Sequence, residues 1–191
     1  MAFVSAAALG GQRGPANQNV DFRNFTYPFP AEKRLDVPGK MAWMSMNAKD
    51  SVRLTNGRYD FEKTNPPGPI LLLTRVEYGY LTSEKQLDAV VVLEYETGGT
   101  PWWNYVYAFS FTSGSPKLVG WFHTGSRAYF GLYRLEIGSP GLIVDLLDPD
   151  RLTASCCSEG FVRFNYSFRN GYFVQSGPKE FGTVEESKPR H

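Results

Sequence analysis

The feature that most constrains this chain is a train of short apolar or alternating runs, about 8 to 14 residues apart, with turn residues between them. Runs at 70–78, 87–95, 103–111, 117–124, 130–137 and 142–147 are joined by segments such as Thr97-Gly98-Gly99-Thr100, Ser113-Gly114-Ser115 and Gly138-Ser139-Pro140-Gly141. A last pair of runs, 161–169 and 172–175, flanks Asn170-Gly171. That dipeptide predicts a type I′ hairpin, because both central residues of the turn need positive φ. Parallel strands need a crossover of a dozen or more residues, and these connections leave no room for one. The expectation is a mostly β chain: an antiparallel meander forming a barrel or sandwich, with at most one or two short helices. A helical turn is expected at 40–47, where Met41, Trp43 and Met44 would cover one end of a sheet.

Alternation within the runs predicts which faces are buried. Trp103, Tyr105, Tyr107, Phe109 and Phe111 form one row, with Trp102, Asn104, Val106, Ala108 and Ser110 opposite. The aromatic row reads as core rather than as an open platform, since packed rings supply large burial with defined geometry. In 87–95, Ala89, Val91 and Leu93 alternate with Val90 and Val92, so this strand is expected to be covered on both sides. Residues 20–27 also alternate and are expected as a strand, ended by Pro28, Pro30 and Pro38. Residues 51–55 predict a short strand closed by Asn56-Gly57.

A chain of 191 residues suits a single domain, expected here at 20–175. Residues 1–19 read as a signal-like and linker segment: Met1 to Gln12 is a short apolar stretch with small residues suited to signal-peptide cleavage, followed by Gly, Pro and Asn. Residues 176–191, rich in Gly, Pro and mixed charge, are expected as a flexible tail. Lys and Arg number 20 against 19 Asp and Glu, which leaves no basic stripe for phosphates and argues against a nucleic-acid partner. No run reaches the ~20 apolar residues of a membrane-spanning helix, so no transmembrane span is expected.

The two cysteines, Cys156 and Cys157, are adjacent. In an oxidising compartment they are expected to form a vicinal disulfide, read as a clip shaping the loop before the last hairpin, as a redox switch, or as a rigid hydrophobic lip for a ligand. The clip is preferred, because the flanking residues offer no His or basic group to lower a thiol pKa. The stretch 78–92 is similar to the strand-loop-strand elements whose acidic loops take calcium in exported proteins, but only Glu84 and Asp88 supply carboxylates and Lys85 opposes them. A plain hairpin loop is expected, with no metal and no cofactor. Together with Thr97-Gly98-Gly99, the Cys156-Cys157-Ser158-Glu159-Gly160 element and the Phe168-Arg169-Asn170-Gly171 hairpin, this region resembles the LppP/LprE type of exported bacterial lipoproteins. The resemblance covers about half of the chain, lacks the lipid-anchor cysteine, and implies export to the periplasm or extracellular space with no chemistry to carry over.

His123 is the single internal histidine, with Asp145 and Asp148 as conceivable partners for a hydrolase. No nucleophile motif such as G-x-S-x-G accompanies it, so no catalytic residue is assigned. Asp148-Pro149-Asp150 reads as turn chemistry. The leading expectation is a non-enzymatic exported β domain that contacts another protein or its own copies through strand edges. The alternative is a carbohydrate or small-ligand module in which Trp102, Trp103 and Trp121 stack on the ligand.

Overall fold

The computed structural model describes residues 20–30, 35, 37, 50–62, 68–99, 102–112, 115–138, 141–154 and 156–184. The expected leader, the helical turn at 40–47 and the chain end lie outside the described residues. The strands in chain order are β1 (Thr26–Pro28), β2 (Ser51–Arg53), β3 (Arg58–Asp60), β4 (Ile70–Ser83), β5 (Gln86–Glu96), β6 (Trp102–Thr112) and β7 (Ser115–Ser126). They continue with β8 (Leu132–Gly138), β9 (Gly141–Leu147), β10 (Leu152–Ala154), β11 (Cys157–Ser158), β12 (Gly160–Arg169), β13 (Tyr172–Gln175) and β14 (Glu180–Thr183).

The fold is mostly β and sandwich-like, as the run spacing predicts. One five-stranded sheet is a meander in the order β3-β4-β5-β6-β7. The other runs β8-β9-β12, and β13 and β14 lie end to end along the far side of β12. Every pairing among the described residues is antiparallel.

The first sheet is buried on both faces. Toward the second sheet it presents Val90, Val92, Val106, Ala108 and Phe122, which pack with Leu142, Val144, Leu146, Val162, Phe164 and Tyr166. On its other face lie Ala89, Val91, Leu93 and the aromatic row of β6, covered by Phe22, Tyr27, Val52 and Leu54. The N-terminal segment is thus a third layer rather than part of either sheet. Burial on both sides explains why β5 reads as a continuous apolar run.

Residues 20–27 depart from the expected strand. Asp21 accepts the Arg23 N–H at 3.0 Å and caps a 3-10 turn over Phe22–Asn24, and only Thr26–Pro28 is extended. The turn brings Phe22, Phe25 and Tyr27 together around Phe109, with ring centroids 5.3 to 6.3 Å apart. A regular strand would have sent Phe22 and Tyr27 to opposite faces. Part of the expected C-terminal tail is likewise ordered as β14, which pairs residue for residue with the start of β12 from Gly160↔Thr183 to Arg163↔Glu180. The β12–β13 hairpin turns through Asn170 (φ 52°) and Gly171 (φ 87°), as Asn-Gly predicts.

Candidate functional site

The three tryptophans expected to form a platform do not share a surface. Trp103 and Trp121 are buried in the aromatic core, where the Trp121 indole N–H donates to the Pro30 carbonyl at 2.9 Å. Trp102 points the other way, as its neighbour on an alternating strand must, and is 42% exposed under the Arg127 guanidinium at 5.1 Å. The platform is therefore corrected to core for two of its three members.

His123 and Asp145, expected as partners for a hydrolase, lie on outward-turned faces of the two different sheets. The His123 ring is buried 5.7 Å from the ring of Tyr105, on the face of the first sheet turned toward the N-terminal layer. On β9, Val144 and Leu146 enter the core between the sheets, so Asp145 projects from the outer face of the second sheet. There Arg163 holds it through two 2.8 Å bonds, Nε to Oδ1 and Nη2 to Oδ2, and the carboxylate pushes the guanidinium pKa further up. Asp148 accepts the Asp150 N–H at 3.0 Å and caps the 3-10 turn Pro149–Arg151, the structural role its Asp-Pro-Asp sequence predicts.

The sulfurs of Cys156 and Cys157 are at bonding distance, and both residues are exposed in the short β10–β11 hairpin. Behind them Ser158 is buried: its hydroxyl lies 2.7 Å from the Asp148 carbonyl oxygen and accepts the Gly160 N–H at 3.1 Å. Arg151 donates to the Gly182 carbonyl at 3.0 Å. The cysteine hairpin is thereby tied to both β12 and β14, which fits a clip.

Two surface features remain. The first is the rim formed by β13 and β14, which pair only with β12 among the described residues. It carries Tyr172 (56% exposed), Val174 (50%) and Phe181 (69%). The second is a pocket of about 320 Å³ between the ends of β4, β6 and β7 and the tip of the β12–β13 hairpin, lined by Thr82, Ser110, Lys117, Phe168, Asn170 and Tyr172 among others. Asp88, one of the two carboxylates in 78–92, is fully buried behind the pocket residue Thr82: its Oδ2 accepts the Thr82 N–H at 2.7 Å and the Thr82 hydroxyl at 2.8 Å. Among the described residues no group of three or more His, Cys, Asp or Glu is placed to hold a metal ion.

Sequence reasoning expected exposed strand edges without singling out this rim, and it missed the pocket, whose residues are scattered along the chain. The usable signal lay in the strand pattern: Asp88 and Ser110 interrupt rows otherwise made of Val90, Val92, Val106 and Ala108. No protein-family model, no curated protein and no solved structure matches this chain.

Proposed function

We propose that this chain is a non-enzymatic, exported β domain that engages another protein through the rim of β13 and β14. The observation that carries the reading is the exposure of Tyr172 and Val174 on the outer face of β13 and of Phe181 on the opposite face of β14, two strands that border the second sheet. Edge strands are templates for an added strand, and soluble domains normally blunt them with charge, proline or a covering loop. Here bulky apolar side chains stand on the edge instead, which suits recognition of an extended segment through main-chain bonds with side-chain contacts on alternate positions. The vicinal cysteine bridge supports an oxidising location. The resemblance of the Cys156–Gly160 and Phe168–Gly171 elements to exported lipoproteins of the LppP/LprE type points the same way.

Photocrosslinking tests the rim in cells that produce the protein. A photoreactive phenylalanine analogue placed at Val174 or Phe181 is expected to trap one discrete adduct, whose mass separates a second copy from a different protein. The same group at the exposed Thr153, on the cysteine hairpin, is expected to trap none. Identical patterns at the rim and at Thr153, or no adduct at either rim position, would refute the proposal.

A further inference from the structure

We propose that the pocket at the hairpin tip is a binding site for a small hydroxylated carboxylic acid of the sugar-acid type. The site is independent of the rim's free edge, although Tyr172 borders both.

Three of its polar groups, Thr82, Ser110 and Lys117, line it directly, and the buried Asp88 behind Thr82 completes a row across the sheet. Thr82 is on β4, Asp88 on β5, Ser110 on β6 and Lys117 on β7, four successive strands of one sheet. Ser110 and Lys117 are direct cross-strand partners. Asp88 and Ser110 each stand one residue beyond the paired Ala89 and Phe109, so they continue the same row. Neighbouring strands are ~4.8 Å apart, so the row spans on the order of 14 Å at the backbone. The volume of about 320 Å³ is at the lower end of the range in which small-molecule sites fall, roughly 300–1,000 Å³.

The two ends of the row have opposite hydrogen-bonding character. At the β6–β7 end, Ser110 Oγ accepts the Gln86 side-chain N–H at 2.7 Å, and its own proton goes to no described residue. Beside it the exposed Lys117 ammonium has no ion-pair partner among the described residues. A hydroxyl donor next to a free cation fits a carboxylate, because charge-assisted hydrogen bonds are about twice as strong as neutral ones. At the β4 end, Thr82 lines the pocket and gives both its donors to Asp88, so its hydroxyl oxygen is left to act only as an acceptor. Asp88 itself is fully buried behind Thr82 and does not line the pocket. The Phe168 and Tyr172 rings supply an apolar wall for the C–H face of a sugar ring. A carboxylate at one end and hydroxyls at the other match this polarity. A neutral sugar leaves Lys117 unused, and a simple alkyl carboxylate leaves the acceptor end unused.

Titration followed by amide and methyl NMR shifts, with glucuronate, glucose and acetate as probes, tests the assignment on the full chain. Glucuronate is expected to give saturable shifts confined to Thr82, Ser110, Lys117 and the Phe168–Tyr172 hairpin. Glucose and acetate are each expected to bind at least about tenfold more weakly, and Lys117→Gln to weaken glucuronate by at least about tenfold. Lys117 is a surface side chain, so this variant should keep its melting temperature, and Lys179→Gln, on the loop before β14, serves as the charge control. Absence of saturation by about 50 mM glucuronate, equal binding of glucose or acetate, or an unchanged Lys117→Gln affinity would each overturn the assignment.

Discussion

Tyr27 and Tyr107 lie in the same aromatic core with ring centroids 5.1 Å apart, yet their hydroxyls are treated differently. Tyr27 donates to the Phe22 carbonyl at 2.7 Å and so pins the 3-10 turn to β1. The Tyr107 hydroxyl is buried without a partner among the described residues. An unmatched buried hydroxyl costs about 1–3 kcal/mol, whereas a satisfied one contributes about 1 kcal/mol net. Tyr107→Phe is therefore expected to raise unfolding free energy by about 1 kcal/mol, and Tyr27→Phe to lower it by a similar amount. Urea unfolding at pH 7 checks both signs, and a destabilised Tyr107→Phe would contradict the account. Burial holds both phenol pKa values above the ordinary 10.0. With folded pKa values raised, the neutral forms support the fold fully below about pH 10, and stability falls as pH rises beyond it. The double Phe variant is expected to flatten that alkaline decline.

Two glycines show how strand ends are specified, and they predict costs of different origin. Gly171 closes the β12–β13 hairpin at φ 87°, and a Cβ added there would meet nothing within 4 Å. Gly171→Ala is thus penalised only for its backbone conformation, by about 1 kcal/mol. Gly125, near the end of β7, donates to the Phe130 carbonyl at 2.9 Å, and a Cβ there would come within 1.8 Å of the Tyr129 carbonyl oxygen. Backbone atoms cannot yield as a flexible side chain can, so Gly125→Ala is expected to cost about 3 kcal/mol. Thermal unfolding of the two variants, with equal losses as the contrary result, separates conformational from steric cost. The hairpin was legible in the sequence because Asn-Gly acts locally, and β4 to β9 were legible because alternation is local too. The turn at Phe22–Asn24 was not, since Asp21 capping competes with an alternating pattern that spans the same residues. Nor was β14, whose four residues include one bulky apolar side chain, Phe181, that points into solvent and leaves no burial pattern to read. Trp103 was legible as core from its strand phase, whereas Trp121 was expected only as part of the platform; Thr82, Ser110 and Lys117 meet only through register between distant strands.

Two cores that share one sheet impose a condition on how the whole molecule unfolds. The first sheet separates them: Phe22 packs with the aromatic row on one side, and Phe164 packs with Val90, Val92 and Val106 on the other. Removing either cover leaves one face of β5 and β6 in water, and the remaining layer then packs on a sheet that has lost half of its burial. The layers should therefore stand or fall together, although they are far apart in sequence. Phe22→Ala and Phe164→Ala are each expected to cost about 3–5 kcal/mol, the usual range for emptying a buried phenylalanine site. More diagnostic than the magnitude is the form of the transition. In both variants, near-ultraviolet circular dichroism, dominated by the aromatic core, and far-ultraviolet circular dichroism, reporting strands in both sheets, should trace one coincident curve. If the second sheet could survive without the N-terminal layer, Phe22→Ala would lose its aromatic signal at lower denaturant than its strand signal. Separated curves in that variant, with coincident curves in Phe164→Ala, would mean that the sandwich is self-sufficient and the N-terminal layer is an accessory to it. Coincidence in both would make the N-terminal layer as much a part of the folding unit as the second sheet.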